Sequence, residues 1–333
     1  MTDWLEGSDD AGRVPSSGQR PSWVPSGAVP PPPGWVPPPG WVPPPGWVPP
    51  GPPGSAWPEP ARPSGSADEE GTLAEQLYRG AAPASRASAG WWLFCAALGF
   101  VVGQVVAAIF AAVVAAATGN LNDLSKVASL SEPPTWYIVS TLLGLWAGFA
   151  GGPWLASAVR GTGRFARDVG LRFRAVDLAG IAIGVGGQVL VVLIYLPISH
   201  LVPHFNQRFD APSQRLTGGS HGLGFAVIAL ATVVGAPFFE ELFFRGLLLR
   251  SLVRLFGGLG RRLGPVLAVV ATGVLFGLAH AESLQLLGLA TFGVILSAVS
   301  YRTGRLGMNM VAHASFNLVA VVATLHAGTG LVL

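Results

Sequence analysis

Two adjacent carboxylates, Glu240 and Glu241, interrupt an apolar run at 223–249. A carboxylate at the centre of a membrane helix costs roughly 2.5–3.5 kcal/mol on insertion scales, so two in a row need partners or a purpose. Arg245 supplies one partner. On an α-helix Glu241 and Arg245 are i,i+4 and share a face, whereas Glu240 and Arg245 are five apart, about 140° around the wheel. The spacing predicts that Glu241–Arg245 is a structural ion pair and that Glu240 projects into a polar cavity. A carboxyl group held there can take or give a proton as general base or acid. Pro237, one turn earlier, removes a helix hydrogen bond near Val233 and can kink the helix beside the acids. Three further polar groups lie in later apolar runs. His280 closes the run Phe276-Gly277-Leu278-Ala279-His280, with Phe276 and His280 on one face; His313 and Asn317 are likewise i,i+4. One such residue alone is more often an interhelical hydrogen bonder than a functional group. Together they supply a base, imidazoles that can position water or a metal, and amide or imidazole donors for an oxyanion.

The elements that must position these groups are membrane helices. The chain has 333 residues, 50% hydrophobic and 11% charged, with a mean hydropathy of +0.51. Soluble domains carry about 25% charge. Seven apolar segments are long enough, or nearly so, to span about 30 Å of hydrocarbon: 91–117, 135–159, 177–199, 223–249, 265–281, 284–300 and 307–327. The fifth and sixth are short, as tilted partners or a helical hairpin would be. Trp91, Trp92, Trp136, Tyr137 and Trp154 sit near segment ends, where interfacial aromatics belong. Small residues recur at four-residue spacing (Gly99/Gly103, Gly144/Gly148/Gly152, Gly180/Gly184, Gly273/Gly277), a pattern that lets helices approach closely. The expected fold is an all-α polytopic membrane bundle of about seven transmembrane helices over 89–333.

Loop arginines orient it. Residues 160–176, 250–264 and 301–306 carry eleven Arg, against Lys126, Arg208 and Arg215 in the loops of opposite parity. The positive-inside rule then places the N-terminus in the cytoplasm and the C-terminus outside, in a multi-pass plasma-membrane protein. The same placement explains the pI of about 9.5 without nucleic acid. His200, His204 and His221 fall in the external loop at 200–222 and His326 near the C-terminus, and all four read as loop or interfacial residues. Cys95 is the only cysteine, which excludes an intrachain disulfide and a cysteine-based metal site.

Residues 1–88 differ in kind. Twenty of the 29 prolines fall in residues 1–63, and residues 1–90 carry a net charge of −4 against +7 for the remainder. Gly34-Trp35-Val36-Pro37-Pro38-Pro39 recurs at Gly40 and, imperfectly, at Gly46. Such a segment cannot build a core and is expected to be a disordered, polyproline II-prone cytoplasmic tail. A six-residue period puts Trp35, Trp41 and Trp47 on one face, about 19 Å apart, as in ligands of Pro-binding modules; a solvated low-complexity tail is the plainer reading. A short helix at 72–79 is expected before the membrane.

Glu240-Glu241-Leu242-Phe243-Phe244-Arg245 matches E-E-x-x-x-R, Phe276 to His280 matches F-x-x-x-H, and His313 to Asn317 matches H-x-x-x-N. In this order the three motifs resemble the CAAX-protease and bacteriocin-processing (CPBP) family of intramembrane endopeptidases, also called Abi or self-immunity proteins, over about residues 175–330. The resemblance implies hydrolysis of a peptide bond in a membrane-associated peptide or protein. By position, Glu240 would activate water with His280, His313 and Asn317 would stabilise the oxyanion, and Glu241 and Arg245 would shape the site. Members have been described as metalloproteases, and a glutamate-dependent mechanism without tightly held metal has also been argued for relatives. Glu240, His280 and His313 are the candidate ligands for Zn²⁺, although the chain has no H-E-x-x-H. Rhomboid-type serine and aspartyl sites fit worse, since no G-x-S-G and no pair of Asp lies in an apolar segment. A catalytically silent scaffold or immunity protein of the same fold is the alternative, and an ion transporter is a more distant one. One demand is severe. Glu240 lies ten residues from Arg250, about 15 Å, and His280 lies fifteen past Pro265, about 22 Å. For the two to meet, the fifth segment must begin outside the bilayer or tilt strongly.

Overall fold

A computed structural model describes residues 86–217, 220–260 and 262–328. The Pro/Trp repeats, the disorder expected of the tail and the short helix expected at 72–79 lie outside the described residues. The chain runs through α1 (Arg86–Ala117), α2 (Leu124–Ser129), α3 (Thr135–Arg160), α4 (Phe165–Val169), α5 (Gly180–Ser199) and α6 (Phe205–Thr217). It continues through α7 (Leu223–Leu259), α8 (Leu263–Ala279), α9 (Leu286–Thr303) and α10 (Gly307–Gly328). There is no strand among the described residues. Each of the seven apolar segments forms a helix, as a bilayer requires of chain with no water to satisfy its backbone. Six of the helices, α1, α3, α5, α7, α9 and α10, are long and apolar enough to cross a membrane. The fifth segment is the exception to the count of seven. At 17 residues α8 is about 25 Å long, short of a full crossing.

The spaced glycines do what their spacing suggests. A Cβ on Gly148 would collide with the backbone of Gly99 and Gly103, and one on Gly144 with that of Ala107. The α1 and α3 backbones therefore touch. Gly273 and Gly277 of α8 lie in the same way against Val294 and Ala290 of α9, and Gly180 and Gly184 of α5 against Met308 and Ala312 of α10. Such contacts replace the hydrophobic driving force that lipid-facing helices lack. A buried aromatic layer joins the pairs: Phe149 stacks on Phe243 at 4.4 Å, and Phe244 meets Phe276 edge-on at 5.2 Å. Trp92, expected at the interface, is instead buried, with the Arg254 guanidinium 4.3 Å from its ring centroid.

The bundle has two unlike ends. At the arginine-rich end the loops are bonded to one another. Leu306 N–H donates to Gly170 O, Gly307 N–H to Arg172 O and Arg250 Nη2 to Gly304 O at 2.7 Å, and Arg305 pairs with Asp177 at 2.9 Å. Buried Asp168 accepts from Ser157 Oγ at 2.6 Å and from Thr162. At the opposite end the hydroxyls of Thr135 and Ser220 meet at 2.6 Å, and Gln285 Nε2 donates to Phe209 O at 2.7 Å.

Helix α7 is not a uniform α-helix. Ala231–Gly235 and Leu242–Leu249 are π-helical and flank the α-helical turn Ala236–Glu241 that carries both glutamates. A π segment inside an α-helix is rare and concentrates at functional sites. Pro237 starts the intervening turn. Without an N–H it leaves a carbonyl of the preceding turn unclaimed.

Candidate active site

Glu241 is fully buried and saturated with donors. Its Oε1 accepts from Arg245 Nη1 at 2.8 Å and from His313 Nδ1 at 2.9 Å, and its Oε2 from Asn309 Nδ2 at 3.2 Å. The ion pair expected between Glu241 and Arg245 is present, with both side chains at zero exposure. Arg245 also donates to Gly293 O of α9 at 3.0 Å and lies over the Phe276 ring of α8, 4.6 Å from its centroid. One guanidinium therefore ties together α7, α8 and α9. Two buried charges outside water are costly unless paired and hydrogen-bonded, and here every polar side-chain atom of the pair has a hydrogen-bond partner, Arg245 Nε excepted.

His313 sits between the two acids. Because Glu241 is a carboxylate paired with Arg245 and hydrogen-bonded by Asn309, the proton of the Glu241–His313 bond resides on Nδ1. In neutral His313, Nε2 then presents a lone pair, 3.8 Å from Glu240 Oε2. Glu240 is the odd member of the group. Its Oε2 has no hydrogen-bond partner, and its side chain keeps 15% of its surface exposed. The carboxylate singled out by the wheel argument thus keeps a buried oxygen without a hydrogen-bond partner.

His280 and Asn317 approach from other directions. The His280 ring meets Phe276 edge-on at 4.7 Å, and its Nδ1 lies 2.8 Å from Phe276 O. Phe276 in turn meets His313 edge-on at 5.6 Å. The two imidazoles therefore flank one buried ring, and His280 reaches the cluster through Phe276, not through a bond to a carboxylate. The depth problem resolves through α7, which continues past Arg250 to Leu259. Glu240 lies 16 residues before Phe256 and His280 17 past Leu263, so the two hairpin arms carry them to similar depth. Asn317 donates through Nδ2 to Thr232 O at 2.8 Å, inside the π stretch before Pro237. In an i→i+5 pattern that carbonyl would look to residue 237, which has no N–H to give. One amide proton of Asn317 thus fills the gap that Pro237 creates.

Asn309 was not among the residues suggested by sequence. It is fully buried and donates to both Glu241 and Leu296 O, the latter at 2.6 Å. The signal was present: Asn309, His313 and Asn317 fall at i, i+4 and i+8 on α10. Its own Oδ1 remains without a partner. Phe276, read as half of a motif, is the ring on which Arg245, His280 and His313 converge.

Among the described residues no three His, Cys, Asp or Glu side chains are gathered so as to hold a metal ion. His313 Nδ1 is engaged by Glu241 and His280 Nδ1 by Phe276 O. Each ring is thus oriented through Nδ1 and keeps Nε2 as the nitrogen that would ligate Zn²⁺, although Glu240, His280 and His313 are not gathered into a three-ligand cluster.

Residues 222–319 match the model of a family described as Rce1-like, type II CAAX prenyl endopeptidase. The matched stretch runs from the start of α7 into α10 and contains all six of the candidate residues. Neither the curated proteins nor the solved structures gave a significant match to the chain.

Proposed function

We propose that this chain hydrolyses a peptide bond within the membrane, with Glu240 as the base, a reading supported by the match of residues 222–319 to the Rce1-like type II CAAX prenyl endopeptidase family. The observation that carries the reading is the unpartnered, partly exposed Glu240 carboxylate beside His313, in a site where Glu241 and Arg245 neutralise each other. A water bound to Glu240 gives it a proton and attacks the carbonyl carbon of the scissile bond, whose π electrons move to oxygen. His280, at the same depth across Phe276, orients that water. His313, held through Nδ1 by Glu241 Oε1, donates to the oxyanion from Nε2 in its doubly protonated form. The second amide proton of Asn317 is the other donor. Collapse of the intermediate breaks the C–N bond, and the proton held by Glu240 goes to the leaving nitrogen.

The substrate in this reading is a membrane-associated peptide or protein. The arginine-rich end faces the cytoplasm, which leaves residues 1–88 inside and the end of α10 outside. The Trp35, Trp41 and Trp47 repeats offer a Pro-binding module a regularly spaced ligand.

The test compares wild-type protein with Glu240→Gln in membranes of the same host, by labelling and sequencing newly formed N-termini. New N-termini are expected with wild type and not with Glu240→Gln, at equal expression and thermal stability. The same set of N-termini from both proteins would overturn the role of Glu240. Added chelator is expected to leave the wild-type set unchanged.

A further inference from the structure

We infer that the site is entered from the arginine-poor end of the bundle, which makes its substrate a polypeptide segment presented at the extracytoplasmic face. The inference rests on the protease reading above and adds a direction to it.

Burial around the site is uneven along the bundle. Toward the arginine-rich end, Glu241, Arg245 and Asn309 have no exposed surface, and every residue of Leu242–Leu249 is buried. Below them the bonds from Gly170, Arg172 and Gly304 to the 304–307 turn and to Arg250 close that end. One step toward the other end, His313 is 3% exposed and Glu240 is 15% exposed. One helical turn beyond Phe276, His280 is exposed. It caps α8, whose roughly 25 Å length ends short of a full crossing. Ala281 follows with φ +56, a conformation that an L residue adopts at a cost of roughly 1–2 kcal/mol, and it turns the chain away directly after His280. On this inference, the notch through which water reaches His280 and Glu240 lies where the short helix and this turn end.

The rim of that notch is built. Helix α6 is amphipathic and has no buried residue, as suits a helix lying in the interface. Phe205 and Phe209 stack on each other at 5.2 Å, and Tyr195 meets Phe205 at a tilt and Phe209 edge-on. Gln285 holds Phe209 O, and Tyr195 OH lies 2.7 Å from Leu284 O and 3.0 Å from Gly288 N. These bonds fix the 280–285 loop, and with it His280, against α6. By the positive-inside rule this rim is extracytoplasmic. A polypeptide emerging from the outer leaflet meets α6 and the His280 loop first, whereas a cytoplasmic chain end meets the closed, bonded end.

Cys95, the only cysteine, is buried, so one substitution gives a thiol-free background. In full-length Cys95→Ala protein, single cysteines at Ser283, at Ala166 and in place of Glu240 are labelled with a membrane-impermeant thiol reagent in right-side-out and inverted vesicles. Ser283→Cys and Ala166→Cys mark the two ends and should label from opposite sides. Glu240→Cys is expected to label from the side of Ser283→Cys, at least tenfold faster than from the other. Labelling from the side of Ala166→Cys, or only by a membrane-permeant reagent through the lipid, would overturn the inference. The readout needs no catalysis, so it fails or succeeds independently of the protease reading. A second arm maps the Glu240-dependent N-termini: sites in extracytoplasmic segments support the inference and sites in cytoplasmic segments defeat it.

Discussion

At the scale of single residues, the carboxylates were legible because their cost was legible: an acid in an apolar helix demands an explanation, and residue spacing told the two acids apart. What the sequence did not reveal is how the donors are shared. Asn309 supports Glu241 as closely as the motif residues do, yet one Asn near a helix start is unremarkable until its partner is seen. Asn317, read as an oxyanion donor, spends one N–H on Thr232 O, a demand set by a proline eighty residues away in sequence. Arg245 has the sharpest consequence for stability. Arg245→Ala leaves Glu241 charged and buried, at a cost of about 3–5 kcal/mol, and should lower the midpoint of thermal unfolding in detergent. Exchanging both members of the pair, Glu241→Leu with Arg245→Met, should recover much of that loss, since an apolar pair of similar volume avoids desolvating two ions. A double variant no more stable than Arg245→Ala would show that the pair is not the source of the loss.

At the scale of elements, apolar length and glycine spacing carried the helices and their closest contacts. The pairing of α1 with α3 and the hairpin of α8 and α9 could be read from residues that a Cβ would spoil. The π stretches could not, because they arise from packing between helices and not from local preference. The run of α7 beyond Arg250 was missed for a related reason: a basic residue marked the membrane edge, while the helix continued through it. A π stretch holds one more residue per turn than the α ladder needs. Deleting Leu248 therefore lets α7 continue as an α-helix, but turns everything on one side of the deletion by about 100° relative to the other. The Glu241–Arg245 pair lies wholly on one side of the deletion and stays intact, but it turns away from Asn309 and His313 of α10. The expected outcome is a protein that inserts and expresses near the wild-type level by immunoblot and forms none of the Glu240-dependent N-termini.

At the scale of the whole molecule, the loop arginines alone predict an orientation, and the bundle has two unlike ends. Which end admits water was not legible, since it depends on burial summed over seven helices and on how far α8 falls short. The closed end has one more consequence, and it is electrical. A site wetted from one face and sealed toward the other exchanges protons with a single compartment. Most of the membrane potential then falls across the dry layer formed by Leu242–Leu249 and the Glu241–Arg245 pair, and little across the water above Glu240. In right-side-out vesicles the rate of cleavage should follow external pH and ignore internal pH, with imposed voltage changing it little. On the proposed reading, the sealed layer would let a membrane hold a water-using site without becoming a leak, and the arginine-rich end would insulate the cell from the chemistry above it.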